Sequence, residues 1–168
     1  GLLGAAQEKW LVDGLGASKS HWQVLANQVM MAPYDSAPGD DVRTSMDQWS
    51  GYPVARDRLL NEVAKRAPNR TVTITGDIHS NWVNELHTDF SRPDKPTIGA
   101  EFVCTSISSG GDGSDVPPQR MAAMQGDNPH LKWFENRRGY VRCRVTEQDW
   151  IAEYRSVPFV TKPGAPIK

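Results

Sequence analysis

Apolar positions along this chain recur in two rhythms, and each predicts a different kind of element. Ala5 to Leu15 read as a helix, with Ala6, Trp10 and Leu11 on one face and Gly14 and Gly16 near its end. "YPVARDRLLNEVAKRAP" places Val54, Leu59, Leu60, Val63 and Ala67 near one stripe of helical period, with Arg and Lys opposite and Pro68 as the stop. Strand-like rhythm appears elsewhere. Trp22 to Leu25 read as a short strand, and Val29 to Ala32 as strand or irregular chain. In "RTVTITGDIHS", Val72 and Ile74 alternate with threonines before Gly76, a strand running into a loop. Phe102, Val103, Cys104 and Ile107 form an extended run that ends in the glycine-rich "SSGGDG". Tyr140, Val141, Cys143 and Val145, then Trp150, Ala152 and Tyr154, flank a turn at Thr146 to Asp149 and predict a β-hairpin.

Between these elements the chain is less regular. Pro33 to Gly51 is a long loop rich in Asp, Pro, Ser and Gly, of the kind that often lines a functional surface. "PPQRMAAMQGDNPHLKWFENR" starts helix-like and becomes irregular near Asp127 to Pro129. Helices alternate with strands early and antiparallel strands come late. The expectation is an α/β layered domain over residues 1–160, with a mixed sheet, a C-terminal antiparallel hairpin and a loose tail over 161–168.

Composition narrows the function classes. With 168 residues, 38% hydrophobic and 23% charged, the chain suits one globular domain. Nineteen basic and twenty acidic residues leave a net charge of −1, which gives no nucleic-acid-binding signature. No apolar run approaches the roughly 18 residues of a transmembrane span. Several of the six tryptophans are expected at the rim of the core, where their N–H groups can find partners. Cys104 and Cys143 share no metal-ligand spacing and read as small buried hydrophobes, with a disulfide left open. Position 1 is Gly, and no export leader is read in these residues.

Candidate chemistry gathers in "ITGDIHSNW", where Asp77 and His79 follow a predicted strand. In open α/β sheets ligands bind beyond the carboxyl ends of strands. Gly76 is read as the residue that permits a sharp bend, and two positions apart in extended chain point the same way. An oxygen and a nitrogen donor aimed at one centre suit a metal of intermediate hardness. An acid and an imidazole on a plain surface turn remain the alternative. His21, His87 and His130 carry no marking context, and His130 after "DNP" reads as a surface turn. Asp47, Trp49 and Tyr52 are set either at a substrate cleft or, preferred for the two aromatics, in the core at a helix start. Arg56 and Arg58 read as solvated. "SSGGDG" reads as a simple turn before a phosphate cradle, because it lacks a P-loop lysine. Arg137 and Arg138 are either an anion attractor or a surface strand start.

These residues carry a resemblance. "GDIHSNW" resembles the late metal motif of the PhoD-like (alkaline phosphatase D) metallophosphoesterases. "LGAAQEKWL", "HWQVLANQVMM", "DQWSGYPVARDRLL", "EFVCTSISSGGDG" and "NRRGYVRCRVTEQDWIAEYR" are similar to further blocks of that family, in its order. The resemblance implies part of a metallophosphoesterase β-sandwich flanked by helices, with metals at strand ends. It implies that Asp77 is a ligand of a hard cation such as calcium and His79 a ligand of iron, in a dinuclear or multinuclear centre. Asn81 and Trp82 would then hold the loop from behind. Earlier blocks of the family, with their aspartate or cysteine, tyrosine–aspartate and asparagine–histidine elements, are not visible here. The chain is therefore expected to be the C-terminal portion of a catalytic domain, with the remainder of that domain as its partner and a phosphate ester as substrate. The implied activity is metal-dependent hydrolysis of phosphate esters in a periplasmic or extracellular enzyme, with little turnover from this portion alone. A phosphoesterase-like binding module without catalysis is the alternative.

Overall fold

The computed structural model describes residues 1–37, 39–92 and 94–167. Three helices, α1 (Ala5–Ala17), α2 (Pro53–Arg66) and α3 (Pro118–Asp127), accompany seven strands. These are β1 (Gln23–Ala26), β2 (Thr71–Thr75), β3 (Asn81–Leu86), β4 (Gly99–Val103), β5 (Gly113–Ser114), β6 (Leu131–Val145) and β7 (Trp150–Val157). A 3-10 turn over Trp49–Gly51 leads into α2. Among the described residues no helix is long and apolar enough to cross a membrane.

β1, β2 and β4 lie side by side and parallel, and β3 runs antiparallel between β4 and β6. The strand order is β1-β2-β4-β3-β6-β5, with β7 paired to the second half of β6. This is the mixed α/β arrangement expected from the sequence, consistent with a PhoD-like β-sandwich domain. β6 serves three partners: Leu131 to Glu135 pair with β3, Asn136 and Arg137 with β5, and Arg138 to Val145 with β7. Gly139 sits where it changes partner. A Cβ there would lie 2.0 Å from the Arg155 carbonyl oxygen, so only glycine allows the strands to approach this closely.

Local chemistry explains the helix that was plainest in the sequence. Pro53 occupies the first turn of α2, where its missing N–H costs nothing, and Lys65 and Arg66 lie in the last turn near the negative end of the helix dipole. Leu59, Leu60 and Val63 enter a core shared with Leu25, Met31, Trp49 and Leu86. A second core, of Met30, Trp82, Val103, Met124, Leu131 and Phe134, lies nearer β6.

Several expectations are corrected. α1 continues through both glycines to Ala17, and Trp10 on it is 72% exposed. Val54 lies off the buried stripe of α2, and Tyr52 is about a third exposed, whereas Trp49 is in the core as read. Arg56 is buried: its guanidinium lies over the Phe90 ring, 5.0 Å from the centroid, and pairs with Asp57. β4 stops at Val103, which leaves Ile107 outside the strand. Both thiols are free; Cys104 is half-buried and Cys143 exposed. Val29 to Ala32 are irregular, one of the two alternatives read for them, and Met30, Met31 and Ala32 are fully buried. β3 and the first half of β6 had no counterpart in the sequence reading, although they occupy the middle of the sheet.

Candidate functional site

β2 delivers the chain to the rim at which the parallel strands end. Thr75 is in register with Val103 of β4, and the Cys104 N–H donates to the Thr75 carbonyl at 2.9 Å. The next residues bend at once. The Ile78 N–H donates to the Gly76 carbonyl at 2.9 Å, closing a three-residue turn centred on Asp77, whose φ is +71°. A γ-turn with positive φ at its centre is a strained form. His79 is left-handed as well, with φ +58°. For residues with a Cβ this region costs roughly 1–2 kcal/mol each. Gly76 is not left-handed and a Cβ on it would meet only ordinary contact, so the bend is made by Asp77 and His79 themselves. That corrects the reading of Gly76 as the hinge, and it replaces the extended geometry assumed for the pair.

Buried groups hold this strained loop from behind. The Trp82 indole N–H donates to Ser80 Oγ at 2.8 Å, and the Ser80 hydroxyl donates to the Ile78 carbonyl at 3.4 Å. Trp82 is itself clamped between Tyr34 and Phe134, at centroid distances of 4.7 and 4.3 Å. Tyr154 donates its hydroxyl to the Trp82 carbonyl at 2.7 Å. Asn81 uses both ends of its amide: Oδ1 accepts from the Thr105 N–H at 3.0 Å, and Nδ2 donates to Glu135 Oε2 at 3.2 Å and to the Arg137 carbonyl at 3.3 Å. One buried asparagine thus joins the start of β3, the segment after β4 and the middle of β6.

In front of this bracket, Asp77 and His79 are exposed. Among the described residues neither side chain makes a hydrogen bond or ion pair. Backbone strain combined with uncommitted polar side chains is typical of functional positions. The pair supplies one oxygen and one nitrogen donor, which fits a metal of intermediate hardness. Two donors do not complete a coordination sphere, and no group of three or more His, Cys, Asp or Glu suited to a metal occurs among the described residues.

The other histidines serve elsewhere. His87 is buried just beyond the far end of β3, with Nε2 3.6 Å from Glu85. His130, read as a surface residue, is buried; it meets Phe90 edge-on with ring centroids 4.9 Å apart and donates Nε2–H to the Pro33 carbonyl at 2.7 Å. Burial pushes its pKa down to about 4, so it stays neutral at physiological pH.

Two buried charges escaped the sequence reading. Glu101 in β4 is fully buried, and its carboxylate accepts from the Met31 N–H at 2.6 Å, the Ala32 N–H at 3.1 Å and Asn84 Nδ2 at 3.0 Å. It fixes the irregular segment after β1 to the middle of the sheet. Burial pushes its pKa up to about 7, against the pull of these three donors. The only sequence signal was an acid in an apolar strand. Arg138, read as a surface strand start or an anion attractor, is buried in β6. Its neighbour Arg137 pairs with Asp115 at 2.7 Å and donates to the Pro158 carbonyl at 2.8 Å.

Known proteins match this chain over nearly its whole length. The family model described as PhoD-like phosphatase matches residues 1–154. Alkaline phosphatase D of Bacillus subtilis (strain 168) is 45% identical over 166 residues, covering 99% of this chain and 28% of that protein. A solved structure of PhoD superposes with a TM-score of 0.93 at 44% identity, covering 99% of this chain and 32% of that one. The chain therefore spans less than a third of the length of these relatives. With the family model matched from the first residue to the end of β7 bar three residues, and the fold matched to the same degree, the chain belongs to the PhoD-like phosphatase family.

Proposed function

We propose that this chain contributes to metal-dependent hydrolysis of phosphate esters, with Asp77 as a ligand to a hard cation such as calcium and His79 as a ligand to iron. The observation that carries this reading is the strained, outward-facing Asp77–His79 pair, without a partner among the described residues, at the rim where the parallel strands end. When bound, such metals lower the pKa of a water and neutralise charge on the phosphoryl group. The chain's own part is positional. Asn81 and Trp82 fix the loop, so both donor side chains face outward without having to be ordered at each encounter.

The remaining ligands of a dinuclear or multinuclear centre would come from the rest of the same domain, which is the partner this reading requires. Export to the periplasm or the cell exterior belongs to the same proposal and is supported by the family resemblance. In the intact protein, Asp77→Ala or His79→Ala should lower turnover of an aryl phosphate by more than about 100-fold. Wild-type activity that survives both changes would contradict the assignment, and an intact protein with no phosphatase activity would favour a binding module. The 168-residue chain alone should bind metal weakly and turn over little. Dialysis against iron and calcium followed by elemental analysis checks this; tight stoichiometric metal with phosphatase activity would refute it.

A further inference from the structure

Arg138 is a buried cation with no counter-charge among the described residues. Its side chain belongs to a residue only 2% exposed, and among the described residues it makes no ion pair. Nη1 donates to the Ser109 carbonyl at 2.7 Å and to Ser106 Oγ at 3.4 Å, and Nη2 to the Asn136 carbonyl and Oδ1 at 3.3 and 3.0 Å. Nε is buried without any partner. The acids nearby are committed elsewhere. Asp112 accepts from the Val160 and Thr161 N–H groups and the Thr161 hydroxyl, and Asp115 pairs with Arg137. A desolvated guanidinium satisfied only by neutral oxygens leaves a positive potential that an anion would balance.

The "SSGGDG" loop lies directly on this cation. Gly110 and Gly111 are left-handed, at φ +85° and +68°, and a Cβ on Gly110 would come within 2.9 Å of Arg138 Nη1. Ser108 to Gly111 are exposed, and no backbone–backbone hydrogen bond among the described residues uses their N–H groups. Free N–H groups over a fixed positive charge are the recognition chemistry of a phosphate oxygen. The strand that leads to this loop ends beside the strand that leads to the Asp77–His79 turn. Loop and turn leave the sheet from the paired residues Thr75 and Val103, and Asn81 joins them by accepting from the Thr105 N–H and donating to the Arg137 carbonyl.

We propose that the Ser106–Gly113 loop, seated on the buried cation of Arg138, is a phosphate subsite. The N–H groups of Ser108 to Gly111 receive the phosphate oxygens, and Arg138 is a positioning residue that holds the loop and supplies its positive field. That the phosphate belongs to a substrate rests on the function proposed above; the binding itself does not.

The test is an amide chemical-shift titration of the ¹⁵N-labelled 168-residue chain at fixed ionic strength with a chelator present, so no metal contributes. Orthophosphate and dimethyl phosphate form separate arms. Saturable shifts of the Ser108–Gly111 amides with both support a site for a phosphodiester group. Shifts with orthophosphate alone support a site for terminal or released phosphate. Shifts with neither overturn the proposal. Gly111→Asp is the variant of choice, because a Cβ there meets nothing within 4 Å and Asp tolerates left-handed backbone. It should weaken phosphate binding about fivefold or more, and an unchanged midpoint would also overturn the proposal. Arg138→Gln should abolish the same shifts, and if it does not fold Gly111→Asp still decides. Failure here leaves the roles of Asp77 and His79 intact, since their test needs metal.

Discussion

Glu101 and Asp77 are both carboxylates on the central strands or their ends, and the protein treats them in opposite ways. Glu101 is enclosed in the core with three N–H donors on its oxygens. Asp77 stands exposed on a strained turn with no partner among the described residues. Hydrogen bonding therefore separates an acid that maintains the fold from one left available for chemistry. The fold supports the second acid at a cost in backbone strain, and the first at a cost in desolvation that its three donors offset only in part while they order Met31 and Ala32.

Removing the two acids should break that contrast in measurable ways. The largest effect is expected for Glu101→Ala, which leaves three buried donors without acceptors. Urea denaturation should show a loss of roughly 3–5 kcal/mol, with Glu101→Gln costing about half as much. A change under about 1 kcal/mol would mean that Glu101 does not hold the segment after β1.

A smaller effect separates charge from hydrogen bonding at the same residue. The folded pKa of Glu101 is raised by burial to about 7, from 4.5. Below 4.5 the group is protonated in both states. Between 4.5 and about 7 the folded protein keeps a proton that the unfolded chain releases, so stability falls as pH rises through that window and then levels off. Relative to Glu101→Gln, the wild type should lose roughly 2 kcal/mol between about pH 5 and 8. A difference between the two that is flat with pH would place the folded pKa near its ordinary value.

The smallest effect should have the opposite sign. Asp77→Gly and His79→Gly relieve left-handed backbone and remove no hydrogen bond. Each should leave stability unchanged or raise it by up to about 1 kcal/mol. A loss of more than about 1 kcal/mol would show that these side chains support the fold, and the comparison with Glu101 would fail.

The same contrast explains what could be read from the sequence. α2 was legible because its apolar period matches its burial, and the β6–β7 hairpin because two alternating runs flank a turn, although Tyr140, Cys143 and Val145 stay exposed. β3 was not, because its inward positions include Asn81 and Asn84, polar residues satisfied by cross-strand partners invisible in one dimension. Arg56, His130 and Arg138 were misjudged for a related reason: burial of a polar side chain depends on a stacking ring or a distant carbonyl, as with Phe90, Pro33 and Ser109. The Asp77–His79 pair was found by residue type and by its place after a strand, yet the bend was assigned to Gly76. Which residue takes a positive φ is settled by the bracket of Ser80, Asn81 and Trp82, and local sequence does not show that bracket.

The most direct test of the Asp77–His79 assignment is a manganese(II) titration of the ¹⁵N-labelled 168-residue chain, because this ion accepts both oxygen and nitrogen donors and broadens nearby signals. The account predicts weak, saturable broadening centred on Asp77 to Ser80, abolished by Asp77→Ala and by His79→Ala with stability unchanged. Broadening centred elsewhere, or undiminished in both variants, would contradict it.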